Sequence, residues 1–397
     1  MSAAAFGVPA DLGRDLERTG RRALVVGVAG LAACAVGAYL SPAQFFRSYL
    51  WAYLFYSGLT LGCLALNMLQ YLTGGAWGLV IRRVLESASR TLPLLALLFL
   101  PVLLGIPRLY EWSHPEVVAR DALLQHKSAY LNVPFFIARA VAYFALWMLF
   151  AYFLNKWSSE QDQSGSPSLA RSLQRISGPG LIVYGITITL ASVDWVMSLE
   201  PHWWSTIFGV IFIGGQGLSA LSFVIALLVL LSKREPLSRV VTAGHLHDLG
   251  KLMLAFVMLW AYFAFSQLLI IWSGNLAEEI PWYVERMRGS WAYVGLLLIV
   301  AHFALPFALL LSRTIKRRAS TLARIAALVI AMRFVDLFWL VTPDFQKEGI
   351  YVHWMDILAP VGLGGVWLAA FLWYLRKRPL LPAGDPHLEE ALAHGRH

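Results

Sequence analysis

Asp194 and Asp336 are the side chains that could do the most chemistry in this sequence. Each follows a valine inside an apolar stretch, and each is followed at the same spacing by a proline, Pro201 and Pro343. A carboxylate held in such a stretch costs about 2.5–3.5 kcal/mol near a bilayer centre, so it must face a partner, water or a proton. Arg333 precedes Asp336 by one turn on the same helical face. Two readings stand for each acid: a proton-carrying group beside a quinol or water cavity, or a neutralised ion pair that locks helices together. Asp356 and Arg139 fall near the same expected depth and can join this cluster. For Arg139 the alternative is a side chain that snorkels to the membrane surface.

His302 lies in the middle of another apolar stretch. An imidazole titrates near neutrality and can relay protons; the alternative is a hydrogen-bonded core residue. A second histidine at that depth is lacking, which argues against bis-histidine haem. A further cluster reads His245-Leu246-His247-Asp248-Leu249-Gly250-Lys251. The spacing of its histidines splits them across a helix, which argues against a metal. Asp248 reads as a first-turn acid favoured by the helix dipole. His247, Asp248 and Lys251 together read as a proton entry. Glu86 and Arg90, one turn apart, hold the equivalent place in the first half, either as an entry or as a surface ion pair. Ser266 and Gln267 extend an inner path or bond across helices. The run from Asp194 to Trp204 combines an acid, His202 and Trp203 with further aromatics. It suits either a quinone head or partner docking at Asp194, His202 and Trp203, or an interfacial anchor. No catalytic residue and no metal-ligand set is read. Cys34 and Cys63 sit in apolar segments as packing residues, without a CxxC or Cys/His cluster.

The elements that must carry these residues are membrane-spanning helices. Of the 397 residues 58% are apolar and only 14% charged, against about a quarter charged in soluble domains. About ten apolar blocks are long enough to span a bilayer, near 23–40, 48–72, 79–106, 133–155, 177–198, 206–231, 250–273, 290–312, 322–341 and 353–375. Backbone groups in lipid need internal partners, so blocks of this length are helices. The net charge of +9 lies in the connections between blocks, where it reads as a topology signal and not as a nucleic-acid footprint. Arg14, Arg18, Arg21 and Arg22, then Arg82 and Arg83, Arg171 and Arg175, Lys233, Arg234 and Arg239, Arg313 to Arg318, and Arg376 to Arg378 fall on alternate connections. The positive-inside rule therefore puts both termini in the cytoplasm. Arg286 and Arg288 fall on an outer loop, offset there by Glu278, Glu279 and Glu285. Met1 to Arg22 lacks the pattern of a removable leader. Residues 107–132 form a long outer connection with room for a surface helix, and residues 157–172 an inner one rich in Ser and Gln and expected to be flexible.

The chain also repeats itself. Val141-Ala142-Tyr143-Phe144-Ala145-Leu146 in helix four matches Val300-Ala301-His302-Phe303-Ala304-Leu305 in helix eight. With the matched Val-Asp…Pro segments of helices five and nine, this makes helices two to five and six to nine parallel repeats. The expected fold is an all-α integral membrane protein of two four-helix bundles with helices one and ten flanking. The divisions are a cytoplasmic segment 1–22, helix one in 23–47, bundles in 48–198 and 199–341, helix ten in 342–375 and a cytoplasmic tail 376–397.

Two stretches carry a family resemblance. They are Asp194 to Gly209, and His247-Asp248-Leu249-Gly250-Lys251 running through Phe263-Ala264-Phe265-Ser266-Gln267 to Glu278-Glu279. They resemble ActF, the smaller of the two large quinone-binding-type membrane subunits of bacterial alternative complex III. That subunit is a distant relative of the NrfD/PsrC membrane subunits of polysulfide reductase. The resemblance covers most of the chain. It implies a subunit of a quinol:cytochrome c (or other periplasmic acceptor) oxidoreductase in the bacterial cytoplasmic membrane. The haems and iron–sulfur clusters would belong to partners: a paired quinone-binding-type subunit, a multihaem cytochrome, an iron–sulfur protein and, in some assemblies, a terminal oxidase. This chain would bind no cofactor beyond a possible quinol, and would serve assembly and proton conduction. The alternatives are a quinol-oxidising anchor for one iron–sulfur partner, and a secondary transporter with breaks near Pro306 or Gly214-Gly215.

Overall fold

The computed structural model describes residues 6–393, so the first five and last four residues of the terminal segments fall outside it. Among the described residues ten helices are long and apolar enough to cross a membrane. They are α1 (Ala10–Leu40), α2 (Pro42–Thr73), α3 (Arg82–Leu104), α4 (Val133–Ser164), α5 (Pro167–Leu199), α6 (Phe208–Leu231), α7 (Ala243–Gly274), α8 (Gly289–Leu311), α9 (Ala319–Asp344) and α10 (Trp354–Leu375). The faces of α1, α4, α7 and α8 that touch no other helix carry exposed Leu, Val, Ile and Phe side chains. Apolar exposure on that scale suits lipid and not water. The protein is an all-α, multi-pass membrane protein.

Local chemistry sets the helix ends. The Asn132 side chain accepts from the Phe135 N–H and starts α4, and Gly165 in the left-handed region stops it. Thr242 and His245 cap the start of α7 reciprocally. His353 and Asp356 do the same for α10. Helical structure outruns the apolar blocks in several places. The first helix begins at Ala10 and not near residue 23. The connection expected to be flexible at 157–172 is almost wholly helical, with α4 running to Ser164 and α5 starting at Pro167. Helix α7 begins at Ala243, so Asp248 lies beyond the first turn. Short helices Pro115–Val118 and Ala122–Lys127 fill the long connection before α4.

The packing produces the two bundles. Helices α2 to α5 close on themselves in the order α2–α3–α4–α5–α2, and α6 to α9 close in the same way. The bundles meet through α2 against α6, assisted by α5 on α6 and α9 on α2. At that crossing Gly62 lets the backbones approach, because a Cβ there would overlap the carbonyl of Gln216. The flanking helices pair with each other, and α10 also packs on α2 and α3. By alternation the start of α1 and the end of α10 lie at one end of the molecule, here called the termini end; the other is the far end.

Two spans are irregular. Helix α3 consists of Arg82–Ser89, Leu92–Leu98 and Leu100–Leu104 with single-turn interruptions. Helix α8 widens to a π-helix over Leu298–Ala304, just before Pro306. A proline removes one N–H and crowds the carbonyl a turn earlier, which a wider turn relieves. Helix α6 is continuous through Gly214-Gly215.

Candidate functional site: a buried acid–arginine pair in each bundle

Asp194 is fully buried where α5 meets α4. Arg139 donates to it from two nitrogens, Nε to Oδ2 at 2.9 Å and Nη2 to Oδ1 at 2.9 Å. This fork geometry is the strong form of an arginine–carboxylate pair. The Tyr143 hydroxyl donates to Oδ2 at 2.8 Å, and the guanidinium lies 3.8 Å over the Tyr130 ring. Arg139 therefore does not snorkel; it turns inward and neutralises Asp194. Around the pair, Phe99, Phe144, Trp147 and Trp195 form a continuous set of ring contacts.

Asp336 holds the matching place in the second bundle. Its Oδ2 accepts from Arg333 and, at 3.2 Å, from Trp260 Nε1 on α7. All three side chains are buried. The Arg333 guanidinium fits over Gly215, where any Cβ would collide with it. It also borders a cavity of about 20 Å³ between the bundles, with Ser57, Ser192, Gln216 and Ser219 among its lining. That is room for about one water among polar groups. His302, the counterpart of Tyr143 in the sequence repeat, lies on the π-turn with its ring 4.3 Å from Trp260 and edge-on to it. It is fully buried, and neither ring nitrogen has a hydrogen-bond partner. Of the two readings of His302, a core histidine hydrogen-bonded to protein groups is not the one observed. Asp356 stays apart from both acids: it takes 2.6 Å from Ser48 Oγ and caps α10.

The far-end loops repeat the theme. His202, just after Pro201, pairs with Asp121 at 2.6 Å. The Leu124 N–H and then His202 hold the Asp121 carboxyl below its usual range. Asp344, just after Pro343, pairs with Arg286 at 2.6 Å. Arg286 was expected on an outer loop; it is fully buried and lies 3.7 Å over Trp282. Lys347 links the halves through Glu285 at 3.0 Å and Glu200 at 3.7 Å. Burial pushes the Glu200 carboxyl up. Trp203 is buried, stacked on Trp282 at 4.6 Å, and donates to the Glu279 carbonyl. Asp194, His202 and Trp203 thus each have a different set of partners.

At the termini end Glu86 is completely buried. It accepts from Arg83 at 2.6 Å, Ser158 at 2.6 Å, Arg378 at 3.0 Å and Tyr71 at 3.2 Å. Arg83 also pairs with Asp162. Arg90 instead donates to Asn155 Oδ1 at 2.8 Å, so Glu86 and Arg90 are not the surface pair their spacing suggested. Lys251 pairs with Asp248 at 3.2 Å on the exposed side of α7, and the Nδ1 of the neighbouring His247 is buried without a partner. The structure brings Asp336, Arg333 and His302 together through Trp260; it does not bring His247, Asp248 or Lys251 into that group. Sequence reasoning missed Tyr143, Trp260, Arg83 and Arg378. The repeat alignment of Tyr143 with His302 was the available signal for the first.

Neither a protein-family model nor a curated protein matches this chain. Fold and site together define the class: a multi-pass α-helical membrane protein with a charge-paired interior in each of two like bundles.

Proposed function

We propose that this chain is a non-redox membrane subunit of a respiratory quinol:acceptor oxidoreductase of the alternative complex III type, moving protons as its partners move electrons. The observation that carries the reading is the pair of buried acids, Asp194 and Asp336, each at the far end of its bundle and each neutralised by an arginine. A buried carboxylate beside a cation can exchange a proton where a lone one would stay protonated. Placement in a bacterial cytoplasmic membrane with both termini in the cytoplasm belongs to the same reading. It rests on the distribution of Lys and Arg. The far-end group is then Asp194, Asp336 and Arg333, the mid-depth group His302, and the cytoplasmic entry His247, Asp248 and Lys251. The partners are the paired membrane subunit, a multihaem cytochrome and an iron–sulfur protein, which hold the haems and clusters. The resemblance in Asp194 to Gly209 and in α7 supports that company.

Asp336→Asn in the intact assembly, reconstituted in vesicles, should lower protons moved per electron while leaving electron transfer measurable. Unchanged coupling counts against the reading. A secondary transporter is the second reading, favoured by the interruptions of α3 and the π-turn of α8. Substrate uptake by vesicles holding this chain alone would select it.

A further inference from the structure

The ion pairing at the termini end leaves two cations over. Glu86 and Asp162 are met there by Arg83 and Arg378, and Asp385 by Arg82. Arg90 and Lys156 pair with no carboxylate among the described residues. Both border one cavity of about 260 Å³ between α3 and α4, with Tyr374 of α10 also in its lining. Arg90 lies about two turns in from the start of α3, and Lys156 about two turns before the end of α4. The two cations therefore stand at about one depth, where the apolar part of α4 gives way to its polar extension.

Arg90 is held in place. Its Nε donates to Asn155 Oδ1 at 2.8 Å, and the Asn155 amide is fixed in turn by donating to Ser89 Oγ at 3.0 Å and to the Ala151 carbonyl at 2.8 Å. The guanidinium lies 5.9 Å over the Tyr374 ring. Its two terminal nitrogens have no hydrogen-bond partner among the described residues and are not sealed off. Lys156 is exposed at the rim. From the cations toward the far end each helix presents an apolar stripe at helical spacing. On α3 it runs through Pro93, Leu97 and Leu100, and on α4 through Tyr152, Met148 and Val141, all exposed except the half-buried Met148. A phosphodiester can accept from two N–H groups of one guanidinium, and the cavity has room for a phosphate with its glycerol. No acid lines it among the described residues, so the cationic end of a choline or ethanolamine headgroup would meet only like charge. Basic pockets between spans at the membrane surface favour acidic lipid headgroups.

We infer that the groove between α3 and α4 seats one anionic phospholipid, its phosphodiester accepting from the terminal nitrogens of Arg90 and from Lys156, and its chains lying along the two apolar stripes. The seat involves neither Asp194 nor Asp336, so it stands or falls apart from the proton reading.

The test uses the full chain in detergent, titrated with phosphatidylglycerol or with phosphatidylcholine of the same chains and read by native mass spectrometry. A photoreactive phosphatidylglycerol serves as label and should map to peptides of α3 and α4. The first phosphatidylglycerol should bind about tenfold tighter than the first phosphatidylcholine, and Arg90→Gln with Lys156→Gln should remove that preference. Asn155→Ala keeps both charges but releases Arg90, and should weaken phosphatidylglycerol about three- to tenfold. Arg317→Gln with Arg318→Gln removes as much charge elsewhere at the same end and should change nothing. Equal binding of the two lipids by the natural chain, or a preference that survives the Arg90 and Lys156 replacements in folded protein, overturns the inference. Inorganic phosphate that binds as tightly as the lipid would make this an anion site and overturn it as well. If Arg90→Gln does not fold, Lys156→Gln alone, at an exposed position, should weaken phosphatidylglycerol about fivefold, and unchanged binding there counts against the seat.

Discussion

Arg139 and Asp194 set the terms at the scale of single residues. Each is buried, and each is tolerable there only because of the other. Arg139→Leu should therefore destabilise the protein by about 3–5 kcal/mol by stranding the carboxylate, whereas Arg139→Leu combined with Asp194→Leu should fall within about 1–2 kcal/mol of the natural chain or exceed it. Thermal unfolding in detergent measures both, and equal stability of single and double variants would contradict the pairing. The acid was legible in the sequence because a carboxylate in an apolar run has few outlets. The arginine was not. A long cation near a helix end can reach the membrane surface or turn inward, and only the packing of α4 on α5 decides between them. Glu86 shows the same limit: its helical neighbour Arg90 was the visible partner, but Arg83 and, from far along the chain, Arg378 are the ones that reach it.

Among the elements, the segment after α10 does more than end the chain. Arg378 reaches Glu86, Asp385 pairs with Arg82 at 2.6 Å, and the Ala391 carbonyl meets His245 Nε2 at 3.1 Å. This segment thus crosses from the first bundle to the second. Arg378→Ala should cost about 1–3 kcal/mol, since Glu86 keeps Arg83 but loses one charged bond. Hydrogen exchange should rise at the start of α3 and at the end of α4; protection unchanged in both would argue against the strap. Span number was legible in the sequence, because lipid demands long apolar runs. Helix ends were not, because hydropathy marks where a helix meets lipid, and a helix continues past that point wherever its polar turns find partners. Asp162 and Ser158, in the polar extension of α4, do so with Arg83 and Glu86.

At the scale of the molecule, the repeat is a statement about assembly. Two like bundles meet across α2 and α6, the most enclosed of the ten spans, and Gly62 sets how closely they meet. Gly62→Leu should cost at least about 1–3 kcal/mol and separate a single cooperative melt into two. One unchanged transition would mean that the bundles are held elsewhere. The parallel repeat was readable from Asp194 and Asp336 with their prolines. That rings fill the space beside Asp194 while a cavity of about 640 Å³ lies against Asp336 and Trp260 was not, because both bundles are spelled in the same apolar alphabet and differ only in how side chains interdigitate.

The two acids also differ in what holds them. Arg139 reaches Asp194 from a neighbouring helix, whereas Arg333 and Asp336 are one turn apart on α9. The first pair is a rivet: neutralising its acid removes a fastening between α4 and α5. The second rides on a single rod and is tied to α7 by one Trp260 N–H, so a change in its charge disturbs the contact between rods less. Proton exchange at the first acid therefore strains a contact between helices and exchange at the second much less, a difference made by moving one arginine from one helix to the next.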